Sequence, residues 1–273
     1  MTTPSPTERH AQLSREIEAH NYRYYVMDDP NVTDAAYDAL MRELRALEAE
    51  HPALVTPASP TQRVSGEPRA GVTKVKHEVR MFSLDNAYDH AELKEFVRRV
   101  NDGLPSGVSP TFCVEPKLDG ASVEVVYDGG HLVQASTRGD GETGEEITAN
   151  VKTIRGVPLV IPHQGKVTLR GEVLIFRKDL EKLNAEREAE GEEPFANPRN
   201  AAAGAVRMLD ARDVRKRPLR ALFYQVVEGA KLHPSHSTSL KWMADQGIPS
   251  HRLETSARSF EELVAAIGAI DQA

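Results

Sequence analysis

The stretch FCVEPKLDGASVEVVYDGG, residues 112–130, decides how this chain is read. Its second half, Ala121 to Tyr127, is rich in β-branched residues and runs into Asp128-Gly129-Gly130, ahead of another strand-like run at 131–137. That composition predicts a tight hairpin between antiparallel neighbours. Its first half carries Glu115, Lys117 and Asp119 at i, i+2 and i+4. In an extended chain this spacing sends all three charges to one face. Two readings follow: a ladder of ion pairs closing a sheet edge, or an amine placed for nucleophilic chemistry. A free lysine, with an ordinary pKa of about 10.4, is protonated at neutral pH and does not attack, and flanking carboxylates only reinforce the proton. The second reading therefore needs arginines or a metal ion close by, and spacing alone leaves both open.

Working outward, strand-like runs are expected at 111–115, 121–127, 131–137, 167–175 and 220–227, and helices near 177–189, 200–209, 238–246 and 259–270. Asp89 with Glu92 forms a capping-box pattern ahead of a helix expected to turn Leu93, Phe96, Val97 and Val100 inward. Short neighbouring strands with helices between them predict an α+β fold with a largely antiparallel sheet. Before this region the character differs. Ser5-Pro6-Thr7-Glu8 opens a helix over 5–28 with Leu13, Ile17 and Tyr24 near helical spacing, and Asp29-Pro30-Asn31 breaks it. A second helix from Thr33 to just before Pro52 carries Tyr37, Leu40, Met41, Leu44 and Leu47 as its apolar stripe. Residues 52–70, with Pro52, Pro57, Pro60 and Pro68, read as a linker or meandering loop, so the expected domains are a helical hairpin with linker over 1–70 and a sheet domain over 71–273.

Composition excludes several classes. No run approaches the roughly 18–20 apolar residues of a membrane span, and the N-terminus lacks the plan of a signal peptide, so a cytoplasmic protein is expected. The one cysteine, Cys113, excludes an internal disulfide and a multi-cysteine zinc site, and its apolar neighbours point to a buried structural thiol. The ten histidines show no metal-ligand spacing, so no resident metal site is expected. A net charge of −7 argues against a nucleic-acid surface over the whole domain, leaving only a local one. The densest basic run, Arg212, Arg215, Lys216, Arg217 and Arg220, reads as a solvated face or as a phosphate contact. Nothing demands an oligomer, and a monomer is expected.

Cations for a reactive Lys117 are available. STRGDGETGE, 136–145, puts Arg138 at a strand end before a glycine-bearing loop. VTLRGEVLI, 167–175, alternates apolar residues with Arg170 and Glu172, a charged pair that on a central strand must meet solvent, a partner or a ligand. FANPRNAAAGAVRMLD, 195–210, brings Arg199 to the start of a small-residue helix and Arg207 about two turns along it, where guanidinium forks suit phosphate oxygens.

Lys117-Leu118-Asp119-Gly120 is similar to the lysine-x-Asp-Gly signature of covalent nucleotidyltransferases. Together with SPTQRV (59–64), MFSLDNAY (81–88), TRGDGETGE (137–145), LRGEV (169–173) and FANPRNAAAG (195–204), in order along the chain, it resembles the bacterial NAD-dependent DNA ligase family. YRYYVMDDPNVTDAAYDALMREL, 22–44, is similar to the helical segment that precedes the nucleotidyltransferase domain in those ligases. The resemblance implies that Lys117 attacks NAD to form lysine–AMP, with Asp119 orienting the nucleophile and a magnesium ion offsetting charge. It implies Glu115 on the adenine amino group, Glu172 on the ribose, Ser83 and Leu84 beside the adenylate, and Arg138, Arg199 and Arg207 on phosphate and leaving nucleotide. Tyr24, Tyr25, Asp34, Tyr37 and Asp38 would hold nicotinamide mononucleotide; some family members carry histidine where Tyr25 stands. Four of the seven tyrosines lie in this segment, and Asp34, Tyr37 and Asp38 share one helix face by spacing. In the residues alone, the same tyrosines and aspartates read more readily as packing for the hairpin and caps.

The family pattern continues past a helix like 259–270 into an Asp-Gly strand and a later lysine, whereas this sequence stops at Ala273. An incomplete nucleotidyltransferase domain is therefore expected, without the oligonucleotide-binding, zinc and terminal modules of a whole ligase. Nicked double-stranded DNA would be the partner of the complete enzyme. Two alternatives stand beside this reading: an NAD-binding remnant without turnover, and a lysine nucleotidyltransferase using ATP or GTP.

Overall fold

The computed structural model describes residues 4–25, 32–56, 58–64, 71–228, 235–251 and 255–272, with the side chains of Tyr24, Tyr25, Asp34, Ala35 and Val64 outside that description. Helix α1 (Pro6–Tyr25) starts as predicted. The Ser5 amide and hydroxyl both donate to Glu8 Oε2, at 2.8 and 2.9 Å, and Glu8 N–H returns to Ser5 Oγ. Helix α2 (Asp34–Glu50) is capped by Thr33, which accepts from Ala36 N–H at 3.3 Å. The two bury Leu13, Ile17, Met41 and Leu44 against each other, with Tyr37, Leu40 and Leu47 half-buried around them. The predicted break at 29–31 and the proposed end of the first helix at 26–28 lie outside the described residues.

Four side chains make a small core, and polar contacts from the following segment extend it. Within 52–70, the described residues carry turns and tertiary contacts. Pro52–Leu54 and Pro60–Val64 form 3₁₀ turns. Buried Glu48 accepts from Ser59 Oγ and Thr61 Oγ1, both at 2.5 Å, and faces His10 Nε2 at 2.9 Å. Burial pushes the Glu48 carboxyl up, but these three hydrogen bonds together hold it below its ordinary 4.5. Its contribution to stability is thus present above the unfolded carboxyl's pKa and lost as pH falls through the depressed folded value. Glu48→Gln is expected to flatten the acid limb of the stability curve, read as urea midpoints between pH 3 and 6. An acid limb identical to wild type would show that Glu48 does not contribute this linkage.

Arg63 ties the hairpin to the rest of the molecule. Its buried guanidinium donates to the carbonyls of Lys152 and Ile154, at 3.1 and 3.2 Å, and to Glu18 at 2.8 Å. Arg63→Ala leaves two carbonyls without these donors and is expected to cost about 1–3 kcal/mol. Chemical denaturation measures it, and Arg63→Lys, lacking the planar fork, should restore little.

Beyond the hairpin the strands are β1 (Lys74–Lys76), β2 (Phe112–Val114), β3 (Ala121–Asp128), β4 (His131–Thr137), β5 (Thr143–Glu145), β6 (Val167–Leu174), β7 (Arg220–Glu228) and β8 (Thr255–Ala257). The main sheet runs β4-β3-β6-β7, antiparallel throughout. Gly129 and Gly130, with φ of 55° and 80°, form the two-residue turn joining β3 to β4. Both need left-handed backbone, which glycine adopts without Cβ strain. Helices α4 (Thr148–Lys152), α5 (Arg177–Ala189), α6 (Pro198–Val206), α7 (Ala211–Arg215) and α8 (His236–Asp245) complete the layer around one core containing Val123, Val125, Tyr127, Leu169, Val173 and Phe223. Ala201, Ala202 and Ala205 of α6 are buried, so its small residues allow close packing on β3 and β6. In the basic run, Arg212 pairs with Asp210 at 2.6 Å and Lys216 with Asp213 at 2.7 Å.

Helix α3 (His90–Asp102) departs from expectation. Its N-cap Asp89 accepts from Ala91 and Glu92 N–H, both at 2.8 Å, but Glu92 reaches back to Tyr88 N–H, one residue before the cap. None of its residues is buried, and Phe96 is 41% exposed. The reason is its support: it rests on α9 (Phe260–Asp271) and on Phe112, whose ring centroid is 6.0 Å from Phe96, not on the main sheet. That side module, built on the antiparallel pair β2–β8, is one strand pair thick. Cys113 within it is half-buried, not the buried thiol predicted. The architecture is α+β, and among the described residues no helix is long and apolar enough to cross a membrane.

Candidate functional site

Residues 115–119 are not strand. They form a loop crossing from β2 in the side module to β3 in the main sheet. Pro116 supplies no N–H for a ladder, and the strand-face argument for Glu115, Lys117 and Asp119 fails here. What holds the loop is Gly120: a Cβ there would sit 2.2 Å from the Val173 carbonyl oxygen. Glycine lets the loop press directly on β6. Lys117 and Asp119 are left exposed and Glu115 half-buried.

The loop forms one wall of a cleft of about 390 Å³. Glu115, Lys117, Asp119, Arg138, Glu172 and Arg199 all line it, as does Leu84. Sequence segments spread over more than a hundred residues therefore converge on one cavity. Glu172, on β6, is buried, which pushes its carboxyl above the ordinary 4.5. The Ser122 hydroxyl at 2.9 Å, the Gly120 N–H, Lys117 and Arg199 oppose that rise without cancelling it. Asp119 lies 3.5 Å from Arg199, but both are more than half exposed, so the pair contributes little.

Glu115 has partners that its sequence neighbours do not disclose. His236 Nε2 is 2.8 Å from Oε2, and His251 Nε2 is 2.8 Å from Oε1. Burial acts to raise the Glu115 carboxyl, but the two imidazoles overcome it and bring it down to about 2. Tyr224 also lines the cleft without having been predicted, although alternation along β7 with buried Phe223 signals that it faces the other side. His236 and His251 carry no comparable signal, being 121 and 136 residues from Glu115.

Arg170 shares the cleft-side face of β6 with Glu172 but turns to a protein partner. Its Nε donates to Glu124 Oε2 at 2.9 Å, and its terminal nitrogens reach the Val79 and Arg80 carbonyls. His77 Nδ1 is 2.8 Å from the other Glu124 oxygen, and its Nε2 is 3.2 Å from the Arg138 carbonyl. This buried set holds Val79 and Arg80 against the sheet, and Met81 N–H adds a bond to Gly141 O at 2.8 Å.

Not every predicted residue joins the cleft. Ser83 is exposed in the neighbouring segment and does not line it. Arg207 ends α6 with Nε 3.3 Å from Glu145, away from the lining. Tyr37 donates its hydroxyl to Asn21 Oδ1 at 2.9 Å and lies 5.8 Å beneath the Arg155 guanidinium, while Asp38 is exposed on α2. The side chains of Tyr24, Tyr25 and Asp34 are outside the described set. No described residue of the hairpin lines the cleft.

Comparison with known proteins places this geometry. Residues 69–273 match the family described as NAD-dependent DNA ligase adenylation domain, and residues 3–65 match DNA ligase-like, N-terminal NAD+-binding domain. A protein named DNA ligase from Alkalilimnicola ehrlichii is 51% identical over 251 residues, covering 90% of this chain and 37% of that protein. DNA ligases of Pseudomonas putida strain W619 and Azotobacter vinelandii are 48% and 47% identical, over 93% and 97% of this chain and 33% and 35% of their own lengths. The chain thus spans about a third of the length of these curated relatives. With family matches running across nearly all of it, and a lysine-bearing loop at the mouth of its cleft, the chain belongs to the NAD-dependent DNA ligase adenylation-domain family.

Proposed function

We propose that this chain takes AMP from NAD onto Lys117, the first step in sealing nicks in double-stranded DNA. The observation that carries the reading is the convergence of Lys117, Glu115, Glu172, Arg138 and Arg199 on one cleft. In the reaction the Lys117 Nζ lone pair attacks the adenylyl phosphorus, a P–N bond forms, and the P–O bond to nicotinamide mononucleotide breaks. The amine proton leaves to solvent or to Asp119, and the leaving phosphate carries off the electron pair. Arg138 and Arg199 neutralise the phosphates, which suits their place on the cleft wall. Glu172 takes the ribose. Glu115 takes the adenine amino group, which requires that an imidazole yield one carboxylate oxygen.

Tyr24, Tyr25, Asp34, Tyr37 and Asp38 serve the nicotinamide nucleotide in this reading, and Ser83 and Arg207 serve the adenylate and its phosphate. Because Tyr37 and Asp38 do not line the cleft, the hairpin and cleft must approach each other around the dinucleotide for those residues to act. Magnesium fits as an ion carried on the NAD phosphates with its waters. Among the described residues no cage of hard oxygen ligands is preformed, and the cleft carboxylates Asp119 and Glu172 are the groups that would help hold it. Bound there, it would offset phosphate charge. The functional unit is read as a monomer with its N-terminal part over 1–70, and nicked DNA as the substrate of the longer protein.

Intact mass after incubation with magnesium and either NAD or ATP tests the reading. An adduct of one AMP from NAD is expected. An adduct from ATP alone would sink the NAD assignment, and NAD binding without any adduct would leave a nucleotide-binding module without turnover.

A further inference from the structure

Among the described residues one group of side chains has the composition of a metal site, and of its members only Glu115 has a part in the chemistry above. Cys113 Sγ on β2, a Glu115 carboxylate oxygen and a His236 ring nitrogen at the start of α8 lie within 4.8 Å of one another. We propose that these three side chains bind a thiophilic divalent cation, with zinc as the reference ion, and that the ion competes with the nucleotide for the cleft. The competition rests on the role given to Glu115 above; the metal site itself does not.

The donor set selects the ion. One thiolate, one imidazole and one carboxylate form a soft-to-borderline combination that favours zinc over magnesium, which prefers oxygen ligands alone. Zinc bonds of about 2.0–2.3 Å place tetrahedral ligand atoms roughly 3.3–3.8 Å apart, so the observed spread needs only small side-chain movements. Glu115 and His236 are already 2.8 Å apart and need only spread around the ion. Binding requires the Cys113 thiol to release its proton to solvent and the His236 ring hydrogen to sit on Nδ1, leaving the Nε2 lone pair for the metal. No electron is transferred.

The carboxylate is also held from behind. His251, whose side chain is 5% exposed, stands 2.8 Å from Glu115 Oε1, the oxygen that His236 does not use. That leaves Oε2 for the metal and fixes the plane of the carboxylate, as outer partners do in metal sites. Three protein ligands leave a fourth tetrahedral position, and because Glu115 lines the cleft, water from the cleft can fill it. With Oε2 on the cation and Oε1 held by His251, neither carboxylate oxygen is left for an adenine amino group, so metal and nucleotide exclude each other.

Cobalt(II) reports on such a site directly, because thiolate ligation produces a near-ultraviolet charge-transfer band. Titration of the reduced full chain is expected to yield that band at one equivalent, with zinc displacing the cobalt and magnesium leaving it unchanged. Cys113→Ser should lose the band, yet still accept AMP from NAD. His236→Gln should weaken zinc binding by about tenfold or more, and His251→Gln should weaken it while keeping the band. Far-ultraviolet circular dichroism confirms that each variant is folded. No band in the wild-type chain, or an equal band in Cys113→Ser, overturns the site. If saturating NAD leaves the band unchanged in a chain that does take up AMP, the competition is overturned. A chain that takes up no AMP fails the adenylation reading alone, since the band is measured without nucleotide.

Discussion

Lys117→Ala is expected to abolish AMP transfer from NAD, a loss of at least about 10⁴-fold, because the role proposed for the residue is that of the nucleophile and not of an accessory to it. Lys117 is the one lysine among the described residues lining the cleft, so no neighbouring amine stands ready to replace it. Its loop is located by the close approach of Gly120 to β6, and the side chain is exposed, so truncation should leave the fold and its thermal unfolding unchanged. Lys117→Arg should be as inactive as alanine, since a guanidinium keeps the charge but offers no nucleophilic lone pair. Intact mass with NAD and magnesium reads both variants. An AMP adduct of wild-type yield in Lys117→Ala would remove this residue from the mechanism.

Glu124→Ala is expected to cost about 3–5 kcal/mol of stability, since it strands the Arg170 charge in the interior. Both side chains are nearly buried, at 6% and 7% exposed, and His77 beside them has none of its side chain exposed. Breaking one member of such a set costs more than the pair's net contribution, because the remaining charge keeps only the Val79 and Arg80 carbonyls and little exposure to water. Replacing both, as Glu124→Leu with Arg170→Met, should recover much of the loss in stability. It should not recover nucleotide affinity, because the Val79 and Arg80 carbonyls still lack the guanidinium that holds their segment to the sheet. Urea denaturation of the two single variants and the double variant measures the coupling. A cost below about 1 kcal/mol for Glu124→Ala would mean that water reaches this network and that it does not hold the cleft's edge.

The two variants probe different levels of organisation, and they differ in how far sequence alone discloses them. Lys117 is visible in the Lys-Leu-Asp-Gly run, and its arginine neighbours in their own motifs. The Glu124–Arg170 pair is not. From sequence Arg170 could meet solvent, a partner or a ligand, and antiparallel pairing selects the partner by placing Glu124 directly opposite it on β3. Only the register of two strands whose paired residues lie 40 or more positions apart makes that assignment. The histidines on Glu115 are a stronger case, since residues around 236 and 251 have no local pattern linking them to residue 115.

Misreadings follow the same division. The i, i+2, i+4 spacing of Glu115, Lys117 and Asp119 is that of a strand face, yet the segment is a crossing loop, because extended spacing does not guarantee a ladder partner. The apolar stripe of α3 is correctly helical, yet it stays partly exposed because the module beneath it is thin. The 52–64 segment has the composition of a linker, yet Glu48 and Arg63 turn it into a clamp.

What the chain determined by itself is whatever local chemistry dictates: the capped helices, the Gly-Gly hairpin and the alternation along β6. These depend on residues a few positions apart and on backbone preferences that no distant contact needs to supply. The tertiary structure decided which charges are partners and which face the cleft, and it left the described hairpin residues out of the cleft lining. Those outcomes depend on strand register, on desolvation and on contacts made across more than a hundred residues, where no short-range preference operates.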